Sequence, residues 1–229
     1  MKTIGLIGGM SWESTIPYYR IINETVRELR GGLHSAKIVM ASVDFAEIEH
    51  LQRLGDWDSA GAILADCGRR LALDGADFLV LCTNTMHKVA PAIEAQAGIE
   101  LLHIADPTAR EIRAAGLRTV GLLGTRFTME QDFYRARLEA HGLTVMTPDA
   151  AGRDLVHRVI YEELCQGRVL DASRDAYRAV IEQLADAGAQ AVIFGCTEIG
   201  LLVTQADSPA PVFDTTALHA RKAAEQALK

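Results

Sequence analysis

Ala191-Val192-Ile193-Phe194-Gly195-Cys196-Thr197-Glu198 has a counterpart in the first half of the chain, Phe78-Leu79-Val80-Leu81-Cys82-Thr83-Asn84-Thr85. Each stretch is a short apolar run that ends at a thiol and then turns polar. An apolar run of four or five residues without alternation reads as a strand buried on both faces, the kind found inside parallel sheets. The hydroxyl and amide side chains after the thiol are the residue types that open helices. Two cysteines are therefore expected at the carboxyl ends of two matched strands.

Outward from these stretches, short apolar runs alternate with longer segments of helical period, the pattern of βα units and a parallel sheet. Strands are predicted over Thr3–Ile7, Lys37–Val43, Asp77–Leu81, Glu100–Ile104, Thr119–Leu123, Thr144–Met146, Ala191–Phe194 and Val212–Phe213. A helix is predicted from Ser173 to Ala187, where Tyr177, Val180, Ile181 and Leu184 share one face and Gly188 can end it. A second repeat supports two lobes, since Ile4-Gly5-Leu6-Ile7-Gly8-Gly9-Met10-Ser11 is similar to Val120-Gly121-Leu122-Leu123-Gly124-Thr125-Arg126-Phe127. The glycine-to-cysteine spacing is nearly equal in the two halves. The expected architecture is α/β with two pseudo-symmetric lobes, each a mostly parallel sheet flanked by helices. The first lobe takes residues 1–104, completed by 211–229, and the second takes 105–210. Lobes that face one another would bring the two thiols to a shared cleft.

The 229 residues are 49% hydrophobic and 23% charged, an ordinary globular composition. The net charge of −7 and the lack of any Lys/Arg run argue against a nucleic-acid or anionic-membrane partner and favour a small molecule. No apolar run approaches a membrane span, and the start of the chain reads as a first strand, not a signal peptide, so a cytoplasmic protein is expected. Its four cysteines need not form disulfides in that compartment, and none belongs to a C-x-x-C pair that would suggest zinc.

In open α/β sheets ligands bind beyond the carboxyl ends of strands, where backbone N–H groups are unpaired. Both cysteines fall at such ends, and a helix N-terminus is expected to lower their thiol pKa values toward neutrality. Thr83, Asn84, Thr85 and Thr197 supply small donors for a carboxylate, which suits an amino acid. Inverting an α-carbon takes a base on one face and an acid on the other, and two matched thiols provide both. Glu198 is placed to tune Cys196. Cys67, Cys165 and the Glu47-Ile48-Glu49 stretch read as ordinary structural or solvated residues, and His87 as a helix-surface or packing residue.

Four stretches together, Gly5 to Thr15, Leu81 to His87, Leu123 to Met129 and Phe194 to Gly200, resemble the cofactor-independent amino-acid racemases of the aspartate/glutamate racemase superfamily. The likeness spans essentially the whole chain and is greatest to the broad-specificity members of enteric bacteria. The resemblance implies two pseudo-symmetric lobes with the active site between them, no pyridoxal phosphate, no metal and a homodimer. It also implies that Cys82 and Cys196 are the paired acid and base, and that Thr83, Asn84 and Thr85 bind the substrate carboxylate. Met10, Ser11, Thr125 and Thr197 would line the same pocket.

Aspartate-specific relatives carry an arginine after the second strand, whereas the segment from Ser42 to Gln52 has none. A second substrate carboxylate would then be buried unpaired, at high cost, unless Arg53, Arg126 or Arg168 reached in. A neutral polar side chain meeting Gln52, as in homoserine, is the expected preference, with broad tolerance. The alternatives are an aspartate- or glutamate-specific racemase, a hydantoin racemase or maleate isomerase using the same thiols, and a non-catalytic amino-acid sensor. A dinucleotide site lacks the full G-x-G-x-x-G pattern, and a cysteine hydrolase would leave the second thiol unexplained.

Overall fold

In the computed structural model, which describes residues 1–229, eight strands form two four-stranded parallel sheets. The first sheet contains β1 (Thr3–Gly8), β2 (Lys37–Ser42), β3 (Phe78–Leu81) and β4 (Leu101–Leu102), in the order β2-β1-β3-β4. The second contains β5 (Thr119–Gly124), β6 (Thr144–Met146), β7 (Ala191–Gly195) and β8 (Val212–Asp214), in the order β6-β5-β7-β8. The central strands β3 and β7 are buried throughout, whereas the edge strands β2 and β6 are half-exposed. That contrast is why the central pair carries the unbroken apolar runs.

The first unit comprises residues 1–104 with 219–229, and the second residues 105–218. Helices α1 (Trp12–Arg30), α2 (Phe45–Leu54), α3 (Trp57–Leu73) and α4 (Ala90–Ala97) belong to the first. The second holds α5 (Ala105–Ala114), α6 (Arg126–Glu130), α7 (Asp132–Ala140), α8 (Ala150–Glu162), α9 (Asp171–Asp186) and α10 (Ile199–Leu202). Helix α11 (Thr215–Ala227) starts in the second unit and ends in the first. The predicted return of the chain at residue 211 is thus corrected to His219. Val212 pairs with Val192 and Phe213 with Ile193, so β8 is the fourth strand of the second sheet. Past it, Ala220, Ala223, Ala224 and Ala227 give α11 a stripe of small residues that packs on Ile4, Leu6, Tyr18 and Val80.

Strand alternation divides the first core between the two faces of its sheet. Ile4, Leu6, Phe78 and Val80 meet α1 and α11, while Ile7, Leu79 and Leu81 meet α3 and α4. Both units use a glycine in the first strand to allow close packing. A Cβ at Gly5 would lie 2.9 Å from Cβ of Ala76 and from Cδ2 of Leu79, and one at Gly121 would lie 3.3 Å from Cβ of Leu184 on α9 and 2.9 Å from its Cδ1. Overpacking this contact is expected to be costly. Gly121→Val should lower the stability of the second unit by about 1–3 kcal/mol, read as a lower urea midpoint at unchanged slope.

Candidate active site

In the first unit the carboxyl ends of three strands lie level. Gly8 pairs with Ser42 across β1 and β2, and Ile7 with Leu81 across β1 and β3. The Cys82 N–H continues the latter ladder by donating to the carbonyl of Ile7 at 2.9 Å. Gly9 has φ 93°, and a Cβ there would lie 2.3 Å from the Val43 carbonyl oxygen, so only glycine lets this loop pass so close to the end of β2. Its N–H donates to Thr15 Oγ1 at 2.9 Å, and that hydroxyl donates to the Ser11 carbonyl at 2.9 Å. Met10 and Ser11 are thereby held, buried, at the start of α1.

Cys82 is fully buried, its Sγ 3.8 Å from the carbonyl of Val80. Thr83, Asn84 and Thr85 follow, all buried, and lead into a 3₁₀ turn over Thr85–Val89. Gln52 reaches this turn from α2: it is 3% exposed and its Nε2 donates to the sulfur of Met86 at 2.9 Å. The structure thus brings together Met10, Ser11, Gln52, Cys82, Thr83, Asn84 and Thr85 within one unit.

The second unit builds a related but different site. Gly124 pairs with Gly195 across β5 and β7, which sets Thr125 level with Cys196. Thr125 caps α6, its Oγ1 accepting from the Thr128 N–H at 3.3 Å. The Cys196 thiol donates to Glu198 Oε2 at 2.9 Å, and the Thr197 hydroxyl donates to the same oxygen at 2.9 Å. Glu198 is 2% exposed, so this carboxylate is a buried acceptor aimed at the thiol.

The lowered thiol pKa values expected at helix N-termini are corrected by the structure. Burial pushes the Cys82 thiol well up. Burial also pushes up Cys196, and the Glu198 carboxylate adds to that by repelling the thiolate and accepting from the thiol. The expected helix ends are too weak to compete, because Cys82 leads into a 3₁₀ turn and Cys196 into a helix of four residues. Both resting thiols hold their protons.

Several groups were not singled out from sequence. Asp214 ends β8, the neighbour of β7, where its Oδ1 accepts from the N–H groups of Thr216 at 2.8 Å and Ala217 at 3.3 Å. Burial raises its pKa against those hydrogen bonds. An aspartate directly after a strand and before Thr215-Thr216 was the available signal. Tyr177, Glu163 and Cys165 share the electrostatic neighbourhood of Cys196, and neither the helical period of Tyr177 nor any other local pattern points to that neighbourhood. No group of three or more His, Cys, Asp or Glu is placed to hold a metal ion, and no helix is long and apolar enough to cross a membrane.

The model of the Asp/Glu/hydantoin racemase family matches residues 7–223, a span that takes in both cysteine turns. The chain belongs to this family, and is a racemase of the isomerase class. It is 23% identical over 219 residues to the broad-specificity amino-acid racemase RacX of Bacillus subtilis, covering 95% of each chain. Among solved structures, a candidate Asp/Glu racemase from Yersinia pestis is 60% identical, with a TM-score of 0.92 and full coverage of both chains. An aspartate racemase homologue from Pyrococcus horikoshii OT3 is 33% identical, with a TM-score of 0.85 and full coverage of both. The expected α/β fold of two parallel sheets is the fold of this family.

The raised thiol pKa values make fold stability depend on pH in a defined direction. Up to about pH 8.5 the thiols are protonated in folded and unfolded chains alike. Above it the unfolded thiols ionise while the folded ones do not, so the unfolded state binds fewer protons and stability falls as pH rises. Between about pH 8.5 and 10 the loss should approach ~1.4 kcal/mol per pH unit for each thiol. Urea unfolding at pH 8, 9 and 10 measures it, and Cys82→Ala should remove its own share of the slope.

Proposed function

We propose that the protein interconverts the enantiomers of free amino acids without pyridoxal phosphate or metal, using Cys82 and Cys196 as acid and base at the α-carbon. One observation carries this reading. Two buried cysteines stand at equivalent positions, one at the carboxyl end of each sheet's central β3 or β7, and each opens a polar turn that begins with a threonine.

In one direction Cys196 is the base. Its proton passes to Glu198 Oε2, 2.9 Å away, and the thiolate removes the α-proton. The electron pair left on the α-carbon spreads into the substrate carboxylate, where donors of Thr83, Asn84 and Thr85 meet the growing charge. The Cys82 thiol then gives its proton to the opposite face, and the resulting Cys82 thiolate is the base of the reverse direction. Burial makes each thiolate scarce but strongly basic, which suits so weak an acid as an α-C–H.

The preferred substrate carries a neutral polar side chain of the homoserine type. Each of the three arginines that could have met a second carboxylate is engaged elsewhere. Arg53 lies against His50 at 3.1 Å, Arg126 pairs with Asp154 at 2.7 Å, and Arg168 donates to the Glu162 carbonyl and to Gln166. Gln52 donates to a weak sulfur acceptor at Met86, and a substrate hydroxyl can compete for that hydrogen.

Proton NMR in D₂O with a panel of L-amino acids, alongside chiral analysis, tests the reaction. Loss of the α-proton with appearance of D-isomer is expected, with homoserine ahead of aspartate. Cys82→Ala and Cys196→Ala should each reduce racemisation by roughly 10²–10⁴-fold with the fold retained, while Cys67→Ala stays near wild type. Full activity in either of the first two variants would sink the two-thiol mechanism. Gln52→Leu should lower kcat/KM about tenfold for homoserine and leave methionine within about threefold, in line with one lost hydrogen bond.

A further inference from the structure

His87 takes no part in the proton transfers or substrate contacts above, yet it is only 3% exposed and both ring nitrogens are engaged. Nδ1 lies 2.7 Å from the carbonyl oxygen of Thr83. Nε2 receives the backbone N–H of Ile104 at 3.2 Å. A backbone N–H can only donate, so Nε2 is the bare nitrogen and Nδ1 carries the hydrogen given to Thr83. The partners thereby assign a neutral ring in one tautomer. It bridges the turn after Cys82 to Ile104, two residues past β4, and of the helix-surface and packing positions the sequence suggested it takes a buried one.

A second imidazole grips the neighbouring strand β4. His219 on α11 donates from Nε2 to the Leu102 carbonyl at 2.8 Å, and its Nδ1 accepts from the Tyr18 hydroxyl at 2.9 Å. The His103 ring stands 4.5 Å from that of His87, and the His219 ring 5.9 Å from it. Strand β4 is two residues long and pairs with β3 only through Leu101 and Leu102. Where its ladder stops, the imidazoles take over, one on the Leu102 carbonyl and one on the Ile104 N–H.

We propose that His87 is a positioning residue for racemisation: by tying the Thr83 carbonyl to the Ile104 N–H just past β4, it sets the turn from which Thr83, Asn84 and Thr85 receive the substrate carboxylate. This rests on the reading of that turn given above. The two bonds of the ring separate by substitution. Asparagine keeps a donor near Nδ1 for Thr83 but cannot reach Ile104, whereas glutamine reaches toward Ile104 and gives up the Thr83 contact. Leucine loses both.

The first measurement is a long-range ¹H–¹⁵N spectrum of the unsubstituted protein at neutral pH, in which His87 should carry hydrogen on Nδ1. The second is steady-state kinetics of the three variants on the best substrate. His87→Leu should lower kcat/KM by about 10–100-fold, chiefly through KM, and His87→Asn should recover more of it than His87→Gln. A purely structural role would make the kinetic order follow thermal stability instead. An Nε2–H tautomer, a folded His87→Leu with unchanged kcat/KM, or His87→Gln at least as active as His87→Asn overturns the assignment. If His87→Leu does not fold, the tautomer and the Asn/Gln order decide. An unsubstituted protein that exchanges no α-proton overturns the racemase reading itself, a result obtained before any variant is made.

Discussion

The Cys82 N–H donates to the Ile7 carbonyl at 2.9 Å, continuing the parallel ladder of β1 and β3 one step past its last paired residues. The site in the first unit depends on that register. A parallel ladder sets the ends of neighbouring strands level, so the Gly8-Gly9 turn, the end of β2 and the thiol emerge side by side. A slip of one residue would turn Ile4, Leu6, Phe78 and Val80 to the other face of the sheet and undo both cores. The same apolar pattern that stabilises the fold therefore fixes the place of the Cys82 thiol.

Duplication supplied the second thiol but not an identical environment. Cys82 has only a backbone carbonyl at 3.8 Å, whereas Cys196 gives its hydrogen to a buried carboxylate at 2.9 Å. A thiol beside an acceptor has somewhere to place its proton, and a thiol among apolar groups does not. The two sites are therefore chemically unequal even though their strands are equivalent. The connectivity also exchanges helices. The helix after β4 belongs to the second unit, and most of the helix after β8 belongs to the first.

Much of the fold was legible because its signals are local. The apolar runs of β3 and β7, the helical face of Tyr177, Val180, Ile181 and Leu184, and Gly188 at φ 102° after α9 each involve residues within a turn or a strand of one another. Strand β4 is shorter than predicted, two residues in place of five, since Ile104 gives its N–H to His87 and not to a strand. The place of β8 was misread because three residues of strand look alike in either sheet, and only pairing with β7 decides between them. At the site, Gln52 is legible as a polar residue in a segment without arginine and Asp214 as an aspartate before Thr215-Thr216, while nothing local ties Tyr177 or Glu163 to Cys196.

By itself the sequence determined that this is an α/β chain of repeated halves, with one thiol at the end of a central strand in each. Periodicity, composition and repetition act over short distances and survive in one dimension. Only the tertiary structure decided that the thiols rest protonated, that Gln52 meets the turn after Cys82, and that His87 is a neutral bridge. Each of these is set by burial or by a partner distant in the chain, such as Ile104 for His87 or Met86 for Gln52. Desolvation, which raises both thiol pKa values, belongs to no residue alone.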